Sequence, residues 1–154
     1  MALQVITTGD GMSAIGSDLV TNERGFLVKV VNGTKATSVK GMLLAISQTE
    51  DNKVIPQDNE YDTIGICAES GVADDAEMWM WVTGSICQVL LKDSTACATG
   101  QILIAADDDG RAIGINNSGS GLPAVDTHFK ECGHIFETKS AGTNVLTLAS
   151  LHFN

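Results

Sequence analysis

The sequence predicts an all-β fold, a compact β barrel or sandwich of about eight or nine short strands, led by an extended N-terminal arm. Three observations predict it. Sixteen glycines stand against two prolines, with serine and threonine spread throughout, which is the composition of many short strands joined by tight turns. Short apolar segments recur between those turns, and none has the length and 3.6-residue period of a long amphipathic helix. Hydrophobic residues make up 44% of the chain and charged residues 18%, which suits one folded domain with a sizeable core and argues against disorder.

Residues 1–25 have no clear period. Gly9, Gly11 and Gly16 alternate with small polar residues, and Thr21 to Gly25 reads as a turn, so this stretch is expected to be an extended arm ordered by what it touches. A short helical option exists over 12–20, where Met12, Ile15, Leu19 and Val20 share a face. Residues 26–154 form the β-rich domain. Phe26 to Val31 is its first strand, and Asn32-Gly33 suits a tight turn with positive φ. Gly41 to Ile46 is the next strand. The polar segment Ser47 to Lys53 follows, then a short strand at Val54–Ile55 that ends at Pro56, then an acidic loop over 57–62.

The chain is organised around residues 63–91. Thr63 to Ala68 is a short strand centred on Gly65, and Glu69 to Glu77 carries turn-forming and acidic residues. From Met78 a longer strand bends at Gly84 and resumes from Ile86 to Leu91, a lone glycine within a strand marking a bulge or bend. The period of two sets Met78, Met80 and Val82 on one face and Trp79, Trp81 and Thr83 on the other. After a turn region over 92–99 come a strand at Gly100 to Ile104, a hairpin turn at Asp107 to Gly110 and a strand at Arg111 to Ile115. A loop rich in glycine, serine and asparagine spans 116–127. Phe129 to Thr138 and Asn144 to Phe153 close the chain as two strands around Ser140-Ala141-Gly142. A faint internal repeat relates Thr37 to Leu44 with Ala96 to Leu103, in keeping with paired halves.

The net charge of −10 and scattered basic residues argue against nucleic acid as a partner, because phosphate contacts need clustered lysine and arginine. The acidity is read as a source of solubility. No apolar run approaches the roughly 18–20 residues of a membrane span. The N-terminus lacks the basic start and apolar centre of a signal peptide, and Cys67, Cys87, Cys97 and Cys132 form no C-x-x-C pair. They are expected to be reduced, buried and small-hydrophobic in role, in a protein made in a cytoplasm.

Catalytic signatures are missing: there is no G-x-S-x-G, no H-E-x-x-H and no G-x-x-x-x-G-K-[ST]. His128, Cys132 and His134 share strand parity, so a three-ligand zinc cluster is geometrically conceivable. No second pair of ligands accompanies them, and the segment is read instead as a half-exposed strand with a buried cysteine. The aspartates 107–109 lack the remaining positions of a calcium loop and are read as a turn. Asn32-Gly33-Thr34 is likewise a turn. No enzyme, metal, cofactor or small-molecule substrate is expected. The non-routine feature is Met78, Trp79, Met80 and Trp81, one pair of which is expected to face outward and anchor a subunit contact.

The order of these landmarks resembles the tailed-bacteriophage capsid decoration, or cement, proteins. The landmarks are a strand ending in Asn32-Gly33-Thr34, a polar link to Gly41 and its strand, and Ile64-Gly65-Ile66-Cys67-Ala68. They continue with the bent Val82-Thr83-Gly84, Thr99-Gly100, the Asp109-Gly110 turn, Cys132-Gly133-His134-Ile135 and a final apolar strand, over roughly residues 26–153. Loop 116–127 and the arm depart from the pattern. The resemblance implies a head-stabilising virion protein on the outer capsid surface, commonly a homotrimer at three-fold or quasi-three-fold positions, with the major capsid protein as partner. The arm is then expected to reach a capsid subunit through Leu3, Val5, Ile6, Met12 and Ile15, pairing by backbone hydrogen bonds. The alternative from another class is a β-barrel fibre or tail module that recognises a receptor or carbohydrate. A third is a small metal-dependent enzyme built on His128, Cys132 and His134.

Overall fold

The computed structural model describes residues 3–6, 23–58, 62–106, 109–116 and 130–153. Among them there is no helix, and eleven strands fall into two sheets. The first sheet holds β1 (Leu3–Ile6), β2 (Gly25–Asn32), β3 (Leu43–Ile46), β4 (Lys53–Pro56), β5 (Gly65–Cys67) and β6 (Glu77–Trp81). The second holds β7 (Ile86–Leu90), β8 (Ile102–Ala105), β9 (Ala112–Ile115), β10 (Glu131–Ile135) and β11 (Leu146–Leu151) in the order β7-β11-β10-β8-β9. The sequence leads to about eight or nine strands; in addition the arm contributes β1, and the strand expected to run past Gly84 is two strands.

The first sheet runs β1-β2-β4-β3-β5-β6, and β6 also pairs antiparallel with β2 from Leu27↔Trp81 to Val31↔Glu77. Five strands therefore close into a ring, with β1 added outside it on β2. The two faces of every ring strand are consequently distinct. Met78 and Met80 of β6, Cys67 of β5, Leu44 of β3 and Val54 of β4 form one buried cluster, joined by Val28 and Val30 of β2. Every strand of the ring contributes, so this cluster fills its interior. Leu27, Leu43, Ile66 and Trp81 point the other way and meet Cys87, Val89, Leu103, Ile135, Ala149 and Leu151 of the second sheet. The architecture is thus both of the expected alternatives at once, a small barrel packed on a five-stranded sheet. Strand alternation separates the methionines from Trp81 as expected, yet both sets are covered.

Val82 to Ser85 carries the chain from one sheet to the other. The Ser85 amide donates to the Val82 carbonyl at 3.2 Å, and Gly84 takes φ +83, which a side-chain-bearing residue adopts only under strain. The predicted bend is therefore a sheet switch and not a kink within one strand. At the end of β2 the positive φ falls on Lys35 (φ 59), because Asn32 organises the turn with its own side chain. Its amide nitrogen donates to the carbonyls of Ala36 and Val72 at 2.9 Å and of Ala73 at 3.1 Å, and its Oδ1 accepts from Thr34 N–H at 3.0 Å.

A buried ion pair ties the base of the arm to this body. Lys40 Nζ lies 2.8 Å from Glu23 Oε2, with side-chain exposures of 9% and 0%. Glu23 Oε1 accepts the Gln88 backbone N–H at 2.9 Å, and the Lys40 backbone N–H donates to Ser70 Oγ at 2.8 Å. Four segments distant in sequence meet there. Removing one charge of a buried pair strands the other in a poorly solvated place, a loss larger than the pair's own net worth. Lys40→Met should therefore lower unfolding stability by about 3–5 kcal/mol, and Glu23→Gln/Lys40→Met should recover most of it. Denaturant unfolding of the three proteins checks this, and a double variant no better than the single one would refute the ion-pair account.

Candidate interaction surface

The four residues expected at a subunit contact separate into two groups. Met78, Met80 and Trp81 are 1%, 3% and 0% exposed, covered by their own chain. Ring closure is the reason: a strand in a small barrel packed on a second sheet has no free face. Trp79 alone retains surface. It is half-buried against the core between the sheets, and Lys29 across the strand pair places Nζ 5.4 Å from its ring centroid. The same ammonium bonds Glu77 Oε2 at 2.9 Å, and the Trp79 backbone N–H donates to Glu69 Oε1 at 2.8 Å. The indole is thus held by a cation on one side and by a fixed backbone, a pre-ordered aromatic that a partner would meet at little entropic cost.

In the arm, Leu3, Val5 and Ile6 lie in β1, which pairs antiparallel with the first half of β2 from Leu3↔Val28 to Ile6↔Gly25. Met12 and Ile15, the helical option over 12–20, Asp107 and Asp108 of the aspartate turn, and residues 117–127 of the glycine-rich loop lie outside the described residues. Elsewhere, Phe26, Val39, Ile46 and Phe136 are exposed at 38–60%. An open recess of about 330 Å³ lies beside Val39, Lys40, Met42 and Arg111. Arg111 is already engaged there, donating to the Leu91 carbonyl at 2.9 Å and to Asp93 Oδ1 and Asn144 Oδ1 at 2.8 Å.

The expected alignment of Cys132 with His134 does not occur. Residues Glu131 and Gly133 of β10 face the consecutive residues Ile104 and Leu103 of β8, so β10 carries one extra residue, and Gly133 takes φ +152. A Cβ at Gly133 would collide with the Ser150 backbone, so only glycine fits. The bulge resets strand parity. Cys132 turns into the core at 1% exposure, its Sγ 3.5 Å from Thr63 Oγ1, while His134 turns outward. Burial pushes the Cys132 and Cys67 thiols up to about 11 and raises the Cys87 thiol well above its ordinary value, so none of the three is a thiolate at neutral pH. His128 lies outside the described residues. What the fold brings together instead is His134, His152 and Glu131, whose ligand atoms all lie within 4.8 Å of one another. The sequence signal was weak. His152 sits twenty-one positions from Glu131, and only the β10–β11 register and the bulge place them side by side.

The molecule is thus an all-β protein whose described surface offers Trp79 under the Lys29 ammonium, a paired N-terminal strand and a histidine–carboxylate cluster. No family model matches the chain, and no curated protein matches it in sequence. Among solved structures it is similar to the head fiber gp8.5 N base of bacteriophage phi29, with a TM-score of 0.47 and 15% identity over 82% of this chain and 92% of that one.

The two tryptophans should respond differently to truncation. Trp81→Ala should cost about 3–5 kcal/mol, the range for a large aromatic removed from a core, and Trp79→Ala less than half as much. Unfolding midpoints in urea measure both, and equal losses would show that Trp79 is core and not surface.

Proposed function

We propose that this chain is a structural virion protein that binds the outer surface of an icosahedral phage capsid, as a homotrimer at three-fold or quasi-three-fold positions, and stabilises the expanded shell. The observation that carries this reading is the order of glycine-marked landmarks that the chain shares with capsid decoration proteins. Each landmark coincides with a strand or a strand-linking turn. Asn32-Gly33-Thr34 ends β2, Gly41 precedes β3, Gly65 opens β5 and Val82 to Gly84 switches sheets. Gly100 and Gly110 lie in the turns before β8 and β9, and Gly133 lies in β10.

The partner in this reading is the major capsid protein, with self-association through the face carrying Trp79 and Lys29. The arm supplies the grip. Its first strand pairs with β2 in the free chain, and on the shell the same backbone donors and acceptors pair with a capsid strand. Modest contacts suffice, because many copies act together on a lattice. The charge of −10 keeps free copies soluble and away from packaged nucleic acid. No catalysis, cofactor, membrane or small-molecule substrate enters the reading. The protein is made in the host cytoplasm and ends on the outside of the virion.

The test is a sedimentation assay on expanded shells assembled from the same phage's major capsid protein, with solution mass measured by light scattering. The wild-type chain is expected near three times 16.1 kDa and bound in multiples of three per site. A variant starting at residue 23 should remain folded and lose shell binding, and Trp79→Ala should shift the mass towards one chain. Undiminished binding by the shortened variant would overturn the arm's role. A wild-type chain that ignores shells but binds glycan-bearing host surface material would favour the fibre or tail module.

A further inference from the structure

We propose that Glu131, His134 and His152 form a divalent transition-metal site, of zinc type, on the outer face of the second sheet. The first argument is convergence. His134 Nε2 lies 3.5 Å and His152 Nε2 3.1 Å from the same carboxylate oxygen, Oε1 of Glu131. The two rings sit 4.9 Å apart and tilted by 46°, which is a cluster around a point and not a stack. Zinc holds nitrogen and oxygen donors at about 2.0–2.1 Å, so donors arranged tetrahedrally around it stand about 3.3 Å from one another. The two measured separations bracket that value.

The second argument is rigidity. His134 pairs with Ser150, so His152, one residue past the end of β11, stands diagonally across from it. The His152 backbone N–H is held by the Cys132 carbonyl at 3.1 Å, within the bulge itself. The bulge that sends Cys132 inward is also what brings Glu131 to the same face as the two imidazoles. Glu131 is a carboxylate with only 6% of its side chain exposed, set at the edge of two half-exposed rings. Two imidazoles and one carboxylate are the donor types zinc accepts, and three protein donors leave a coordination position open for water or for a group from another molecule. Such a metal would clasp the end of β11 to β10. This assignment is independent of the capsid reading.

The experiment uses the full chain after removal of bound metal with a chelator. Zinc is titrated by calorimetry, and cobalt(II) is titrated as a spectroscopic probe of coordination. The expected result is one metal per chain, a visible cobalt band of low-symmetry geometry and a higher melting temperature with zinc. His134→Ala and His152→Ala should each weaken binding beyond the roughly 10–100-fold that loss of an outer-shell partner costs. Both rings are 40–49% exposed, so circular dichroism of the variants should match wild type. Metal bound equally well by either variant would overturn the site. So would the absence of binding at millimolar zinc, which would leave the cluster as two close histidine–glutamate contacts.

Discussion

The pairing of β2 along both edges is the constraint on which this structure depends. One edge takes β6 over Leu27–Val31, and further pairings go to β1 over Gly25–Val28 and, in parallel, to β4 at Val31 and Asn32. That arrangement closes the ring and fixes which side chains enter it. A slip of one residue would exchange Val28 and Val30 for Leu27, Lys29 and Val31, placing the Lys29 ammonium inside an apolar ring and lifting Leu27 off Trp81. No such alternative register is tolerable. The strand's last residue, Asn32, then nails the loop before β6 to the loop after β2 with three amide hydrogen bonds.

Two cores follow from that closure, one inside the ring and one between the ring and the second sheet, and β6 serves both. The sheet switch at Gly84 lets one continuous segment contribute Met78 and Met80 to the first and Trp81, Cys87 and Val89 to the second. The Glu23–Lys40 pair sits where the arm leaves this body and bonds back onto β7 through Gln88.

Much of this was legible in the sequence. Period-two alternation and glycine-bounded segments located the strands, since both reflect local backbone geometry. Closure was not legible. The β2–β6 pairing joins segments about fifty residues apart, and nothing local distinguishes a strand covered on both faces from one with an outward pair, so one pair among Met78, Trp79, Met80 and Trp81 reads as an outward anchor where Trp79 alone keeps surface. The bulge at Gly133 was invisible for a related reason. Alternation assumes an unbroken pleat, and one inserted residue reverses the parity of everything beyond it. Unbroken alternation therefore pairs Cys132 with His134, and no local signal joins Glu131 to His152.

The placement of the free cysteines gives each core its own chemical clock. Cys67 lies in the ring, whereas Cys87, Cys97 and Cys132 lie between the layers, and none is in a disulfide. A thiol shielded in this way meets an alkylating reagent only during the moments when its surroundings part. The ratio of labelling at Cys67 to labelling at the other three consequently reports whether the ring breathes by itself or the two layers come apart together. The protein carries its own reporters of cooperativity, with no cysteine to be engineered in.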